Sequence, residues 1–589
     1  MAKDARFQLG SDSPLKNFRT MKCDCSAGNS YIPRSVVYPQ FHMSATGQPV
    51  IILKEGSGES RGREAQRNNI SAAKLIAEVV RTSLGPRGMD KMLVDSMGDV
   101  TITNDGATML KELDVQHPAA KMMVEISKAT DNEVGDGTTS AVVVAGALLE
   151  KAEELINKNV HPVVVVDGYS RAAEKAQKIL EEIAEKIDPE DRAEILKVAN
   201  TSMLTKLVNE DSPHLAGIVV DAVLQVADKR EGGHKVDIDN VKVEKKAGGA
   251  LTDTKLVQGI VLDKEVVHSG MPRKIDEAKI ALVNSALEIE KTEFSAEIRI
   301  NDPDQMQKFM DEETNILKGM VDKIQEAGAN VLICQKGIDD LAQHFLAKAG
   351  ILGVRRVKES DMTKLGKATG ARIVTNLDDL MAKDLGYAKL VEERKLEEDK
   401  WVFVEGCKNP KAVTILVRGG TQRIVDEAER ALHDAIMVTK DVVELPAVVA
   451  GGGAPEEEVS VQLRNWAQKL SGREQLAALK FADAMESIPL TLAENAGMDP
   501  IDTQVDLRAR HGKEGKWYGV DALNGKVADM YAKSVWEPLA VKLQILRAAT
   551  EAASMILRID DVIAASKMKS PPMPPGGGGM GGMGGMPPM

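Results

Sequence analysis

Aromatic residues make up only 3% of this 589-residue sequence. Base-stacking platforms need aromatic side chains, so a single-stranded nucleic-acid surface is not expected. Positive charge is also in deficit. The 76 Lys and Arg face 89 Asp and Glu, a formal charge of −13, which is the wrong sign for a general polyanion binder. No apolar run reaches the length of a membrane span, and the opening MAKDARFQLGSDS lacks the basic-then-apolar order of a secretion signal. The four cysteines, Cys23, Cys25, Cys334 and Cys407, are too few for a disulfide framework in so long a chain. Neither GxxxxGK[ST], HExxH nor a CxxC pair occurs, which excludes a P-loop enzyme and a motif-bearing zinc site. What remains is a cytoplasmic protein without nucleic-acid or membrane partners. It is too long for one core, so several domains are expected.

The two ends differ from the rest. Residues 1–42 lack helical periodicity and carry scattered Pro, Gly and Ser, so they read as a disordered leader or extension. Met43 then opens MSATGQPVIILKEG like a fresh start. Cys23 and Cys25 have no second ligand pair nearby and read as free thiols. Residues 571–589, PPMPPGGGGMGGMGGMPPM, read as a disordered Gly/Met tail, because so much glycine cannot offset its ordering entropy.

Between the ends, helix signals dominate. In NNISAAKLIAEVVRTSLGP the positions Ala72, Leu75, Ile76, Val79 and Val80 predict one apolar face, with Gly85-Pro86 as the stop. Val142 to Leu149 is apolar nearly all round. It suits a helix buried on every side or a buried strand, and its Thr-Thr-Ser start and continuation to Ile156 favour the helix. From about residue 280, KIALVNS, ANVLICQK, VRRVKE and ARIVTN predict short strands. GIDDLAQHFLAKAG and SDMTKLGKAT predict helices between them, an α/β alternation. After about residue 450 helices return. A helical–α/β–helical order suggests an inserted domain, with the two helical ends closing into one body.

The stretch EVGDGTTSAVVVAG carries the chemistry. Gly135 and Gly137 let the backbone bend tightly and bring N–H groups close to a ligand. Thr138, Thr139 and Ser140 add hydroxyl donors at a helix N-terminus, which favours an anion. Asp136 would repel that anion unless a hard cation, Mg2+, lies between them. The same residues also read as an ordinary turn before a helix capped by Asp136 or Thr138. SLGPRGMDKMLVD adds a second Gly-Pro turn at a helix end. VTITNDGATML places Asp105 in a tight Asn-Asp-Gly turn, a hairpin signal.

The set LGPRGMDKMLVD, TNDGATML, HPAAKMMVE, GDGTTSAVVVAG, HPVVVVDGY, CQKGIDDLAQHFLAK, LAENAGMDP and RIDDVIAA resembles the group II chaperonins of archaeal thermosome type. The likeness runs from Met43 to the Gly/Met tail, with the motifs in family order and spacing. It implies a multidomain α+β fold: a mostly helical equatorial ATPase domain (43–189 and 450–570), a small α/β intermediate domain (190–262 and 414–449) and an α/β apical domain (263–413) with a helical protrusion. It further implies ATP and Mg2+ as cofactors and two stacked rings of identical or paralogous subunits, eight per ring. Unfolded polypeptide would be enclosed when ATP hydrolysis closes a built-in lid at about 288–318.

The resemblance also implies roles at numbered positions. Ser83, Leu84, Gly85 and Pro86 contact phosphates, and Asp136 ligates Mg2+. Gly135, Gly137, Thr138, Thr139 and Ser140 cradle the phosphates; the family usually shows Thr where this chain has Ser140. Asn104 and the catalytic Asp105 face the γ-phosphate. Gly452 lies by the ribose, with Asp521 and Glu537 nearer the nucleoside. Asp434, in RALHDAIMV, orients and deprotonates the attacking water. Family members often have an acidic residue before it, where this chain has His433. From the residues alone Asp434 reads as a solvated helix carboxylate. Lys206 corresponds to a nucleotide-sensing lysine. In the lid, Phe294, Ile298, Ile300, Met306, Phe309 and Met310 are sparse apolar points, the last three at i, i+3 and i+4. Such a patch suits either core or a client or neighbour contact. Two other classes share these features: a small-molecule phosphotransferase, which needs an acceptor pocket, and a structural ring with an inactive site, against which Asp105, Asp136 and Asp434 together argue.

Overall fold

The computed structural model describes residues 41–43, 49–51, 58–95, 97–206, 208–231, 233–289, 303–408, 410–513 and 515–564. The leader's Cys23 and Cys25, the Gly/Met tail and lid positions Phe294, Ile298 and Ile300 lie outside them. The chain forms two compact units, residues 1–68 with 559–589, and residues 69–558. In the first, Gly58–Arg61 pairs antiparallel with Asp561–Ala564, Arg61 opposite Asp561. Phe41–Met43 pairs antiparallel with Pro49–Ile51.

The larger unit is built first from long helices. Pro118–Val134, Thr138–Asn157, Pro162–Ile183, Gly472–Met485 and Leu539–Leu557 pack together. Thr138–Asn157 is buried from Ala141 to Leu149 except at Ala147, so the apolar run is a helix covered on every side. Gly146 makes this possible: a Cβ there would meet Ala77 Cβ at 2.4 Å. The partner helix, Gly62–Arg81, turns a different face inward than its periodicity predicts. Ile70, Ala73, Ile76, Ala77 and Val80 are buried, while Leu75 is 66% exposed and Val79 is also exposed. Small residues carry the close contact, and the larger Leu75 is left outside. The helix ends at Arg81, four residues before Gly85, because Ser83 and Leu84 N–H turn back onto the carbonyls of Val80 and Arg81.

A second layer places Arg192–Leu204, Ser212–Val226 and Gln422–Glu444 beside a three-stranded sheet. Its central strand, Val413–Gly419, runs parallel to Val241–Ala247 and antiparallel to Lys255–Val257. All seven of its residues are buried, as a strand covered on both faces requires.

Residues 260–412 have a separate core around a seven-stranded sheet. Lys274–Val283 is its hub. It is antiparallel to Gly386–Leu396 and parallel to both Val331–Cys334 and Ile373–Val374. Three of the four predicted strand segments contain strands. In the fourth, VRRVKE, the strand is Leu352–Val354 and ends as that segment begins, with Arg356 at φ +56°. The helices Asp340–Lys348 and Glu359–Thr369 lie where the periodicity put them. Helix Pro303–Glu326 carries Met306, Phe309 and Met310 on its exposed surface, so of the two readings of that patch the core one fails for these three.

Candidate nucleotide site

A cavity of about 410 Å³ lies within the larger unit, walled by the ends of several of these elements. Helix Pro118–Val134 closes on Gly135 (φ +68°), and Gly137 (φ +75°) opens helix Thr138–Asn157. Both glycines are in the left-handed region, where a Cβ is disfavoured. Neighbours add to that: a Cβ at Gly135 would meet Met437 at 2.3 Å, and one at Gly137 would meet Ile545 at 2.6 Å. Neither Asp136 nor Thr138 caps the helix, which has no side-chain cap. The capping alternative therefore falls, and first-turn N–H groups are left for a ligand. Asp136 instead accepts from Gly137 N–H at 2.7 Å and from the Ser202 hydroxyl at 2.9 Å.

Asp105 is not in a hairpin turn. The local hairpin is Lys91–Val94 with Val100–Thr103, and Asp105 follows it as the N-cap of helix Gly106–Glu112. Its carboxylate takes Thr108 N–H at 2.7 Å and the Thr138 hydroxyl at 3.0 Å. Asp-Gly serves a helix start as well as a turn, because the aspartate side chain satisfies free amides in either. Asn104 donates to Thr205 O at 2.8 Å. The loop of Ser83, Leu84, Gly85 and Pro86 is held by Asn495, which donates to the Arg81 and Leu84 carbonyls at 3.1 and 2.9 Å.

Lys206 and Asp434 meet in the same cavity at 2.6 Å, both nearly excluded from solvent. Asp434 is thus a buried, paired group and not a solvated helix carboxylate. Burial pushes its pKa well up; Lys206 opposes this, while Asp105 and Asp136 add to it. Burial also works against the Lys206 charge, but Asp434, Asp136 and Asp105 outweigh it and hold the ammonium protonated. Three carboxylates around one lysine leave an excess of negative charge.

Gly452 (φ +68°), Asp521 and Glu537 also line the cavity. Asp521 is bonded to Lys533 at 2.5 Å and to Asn524 at 2.8 Å; burial alone would raise its pKa, but these bonds lower it. Glu537 is bonded to Lys542 at 2.5 Å, and Lys542 also holds Glu456 at 2.8 Å. Of the positions expected around the nucleotide, all but Gly135 line the cavity; Gly135 packs behind it on Met437. Ser202, Lys542, Lys533 and Trp536 line it too and were not foreseen. Lys542 had a signal, as the single charge in the apolar run PLAVKLQIL. Ser202 lies one helical turn before Lys206, on the same face.

Among the described residues no three His, Cys, Asp or Glu side chains converge as a metal cage. Mg2+ binds through one or two carboxylates together with substrate phosphates. Asp136, beside free amides and hydroxyls, fits such a role. No described helix is long and apolar enough to cross a membrane.

Residues 76–567 match the TCP-1/cpn60 chaperonin family. The chain is 59% identical over 523 residues to a thermosome subunit of Pyrococcus abyssi, covering 89% of this chain and 95% of that protein. It is 60% identical over 526 residues to a thermosome subunit of Methanopyrus kandleri, covering 89% and 96%. It is 59% identical over 523 residues to the thermosome subunit alpha of Archaeoglobus fulgidus, again covering 89% and 96%. A match over most of its length, on the segments that wall the cavity, makes this chain a member of the TCP-1/cpn60 chaperonin family.

Proposed function

We propose that this chain is an ATP-hydrolysing subunit of a cytoplasmic group II chaperonin that stacks in two rings, eight subunits to a ring, and encloses unfolded polypeptide. The observation that carries this reading is the cavity. Segments more than 300 residues apart bring together the 83–86 loop, Asp105, the 135–140 loop, the Lys206–Asp434 pair and Gly452. Residues 43–189 and 450–570 act as the equatorial domain, 190–262 and 414–449 as the intermediate domain, and 263–413 as the apical domain.

In this reading the 83–86 loop and the free amides at Thr138–Ser140 bind the phosphates. Asp136 holds the Mg2+, which neutralises phosphate charge. Asp434 orients the attacking water and accepts its proton as the water oxygen bonds to the γ-phosphorus and ADP leaves. Burial makes Asp434 a stronger base than an exposed carboxylate. Lys206 holds it in place, and Asp105 faces the γ-phosphate. Assembly is supported by the hairpin Lys91–Val94/Val100–Thr103 and its approach. Met89, Met92, Val94 and Met97 are exposed there, Met97 to 89%, and such apolar patches mark contact surfaces. The lid is proposed for 288–318, with Met306, Phe309 and Met310 offered to client or neighbour.

The test pairs negative-stain images of the purified protein with ATP turnover by wild type and Asp136→Ala. Double rings and turnover that collapses in Asp136→Ala are the expected results. Turnover at the wild-type rate in Asp136→Ala would sink the assignment of the loop. A monomer with a small-molecule phosphoryl acceptor would instead establish the phosphotransferase.

A further inference from the structure

A second cavity, of about 260 Å³, shares Asp105 and Asp434 with the first. Its other walls are Thr108, Asp131, Val243, Glu429, Arg430 and His433. The nucleotide reading gives it no role, and none of Asp131, Glu429 or Arg430 was singled out by sequence. The charged groups fall into two kinds. Glu429 is engaged by Lys245 at 2.6 Å and Arg430 by Glu427 at 2.6 Å. Asp131 and His433 make no side-chain hydrogen bond among the described residues. Asp131 is half-buried on helix Pro118–Val134 and His433 is exposed on helix Gln422–Glu444, within electrostatic range of each other. Two uncommitted titratable groups thus line a chamber that runs from the Asp434 carboxylate toward solvent.

Carboxylates outnumber cations here. Asp105, Asp131, Glu429 and Asp434 face Arg430, so the chamber repels phosphate. Its volume holds several waters at about 30 Å³ each. A carboxylate that takes a proton from water in each cycle must lose it again before the next, and Lys206 cannot accept it because it is already an ammonium. We propose that this second cavity is the proton exit of the hydrolytic site, with Asp131 and His433 passing the proton from Asp434 to solvent.

The proposal rests on the ATPase reading. In balance, the attacking water gives its oxygen to the γ-phosphoryl group and one proton to Asp434 while the bond to ADP breaks. The Asp434 O–H then breaks, and that proton moves over chamber water to the Asp131 carboxylate or the His433 ring and into bulk. Asp131 is suited to this, since burial first and then Asp105 raise its proton affinity, with His433 and Lys206 opposing.

The experiment follows two clocks on the full-length assembly in weakly buffered solution: acid-quenched ATP hydrolysis, and proton appearance with an indicator dye. In wild type the two coincide. In Asp131→Asn/His433→Gln, proton appearance should lag hydrolysis by at least about tenfold, and added imidazole buffer should abolish the lag. Coincident clocks in the double variant overturn the exit route, whether or not hydrolysis itself is slowed, since a merely structural role slows both together. A lag that imidazole leaves unchanged also overturns it. Failure of the wild type to hydrolyse ATP overturns the ATPase reading itself, which keeps the two failures apart.

Discussion

Two buried lysines line the nucleotide cavity, and they are built differently. Lys542 sits inside one helix of the long-helix body and holds Glu456 and Glu537, which come from neighbouring elements of that body, residues 450–557. Lys206 stands just past the end of helix Arg192–Leu204 and meets Asp434 on Gln422–Glu444, a partner 228 positions away in the second layer. The first cluster ties the cavity wall together. The second ties two helices of the second layer, Arg192–Leu204 and Gln422–Glu444, to each other. The contrast teaches that the same chemistry, an ammonium among excess carboxylates, can serve as a fixture of one wall or as a catch that holds the proposed base, depending on which elements supply the partners.

The largest difference should be catalytic. Asp434→Ala removes the proposed base, a contribution of about 10²–10⁴ in rate. ATP affinity should stay near wild type, because the role proposed for Asp434 is on the attacking water and not on the phosphates. Nucleotide titration and single-turnover hydrolysis check both halves. Near-normal hydrolysis by the variant would exclude Asp434 and make Asp105 the leading base.

Stability should show the reverse ranking. Lys542→Met leaves Glu456 and Glu537 buried without their cation, and breaking a buried pair in this way costs about 3–5 kcal/mol. Lys206→Met strands one paired carboxylate instead of two, so it should cost less stability, and it should cost more turnover because Lys206 holds the proposed base. Urea unfolding followed by circular dichroism ranks the two. A larger stability loss for Lys206→Met would mean that both clusters are fixtures.

The long-helix body also carries a carboxylate with no compensation. Glu457 is fully buried, and neither of its oxygens has a hydrogen-bond partner among the described residues. Burial first, then Glu486, raises its pKa from 4.5 to about 7. The folded state therefore holds a proton that the unfolded chain has released. Its contribution to stability is fully present below the unfolded value and is lost as pH rises through about 7. At one pKa unit per 1.36 kcal/mol the loss is at most about 3 kcal/mol. Glu457→Gln should flatten the decline of unfolding free energy between about pH 5 and pH 8. An unchanged slope would place the pH dependence elsewhere, with Asp441, also raised to about 7 by burial, next in line.

Legibility differed between regions for physical reasons. The loop at 135–140 could be read because its glycines, hydroxyls and single carboxylate have few other reasons to adjoin. The buried helix from Thr138 could be read because an all-round apolar surface has nowhere to go but inside. The hairpin Gly386–Leu396/Asp399–Glu405 went unseen, since GYAKLVEERKLEEDKWVFVE is crowded with Glu and Lys, which favour helices when no partner strand is known. Leu75 misled because periodicity locates a stripe but not the contact; Gly146 draws Ala77 in and leaves Leu75 out. Ser202, Lys533 and Trp536 belong to the cavity only through tertiary packing, whereas Lys542 is marked as a lone charge in an apolar run.

Ser202 permits the most delicate test of the fixture and the catch, because it touches both the phosphate loop and the lysine of the second cluster. Its hydroxyl donates to Asp136 at 2.9 Å, and Lys206 donates to the same hydroxyl at 3.4 Å. Removing it costs one hydrogen bond to a charged acceptor, worth about 1.5–3 kcal/mol when fully buried. Asp136 is only half-buried, so water replaces part of that and the low end applies. An effect near 1.4 kcal/mol is about tenfold in an equilibrium or rate. Ser202→Ala should therefore weaken Mg-nucleotide binding or slow hydrolysis by no more than about tenfold, and Ser202→Thr, which keeps the hydroxyl, should recover most of it. A loss as large as that of Asp434→Ala would show that the link through Ser202, and not the Lys206–Asp434 pair itself, is what couples the second layer to the loop at 135–140.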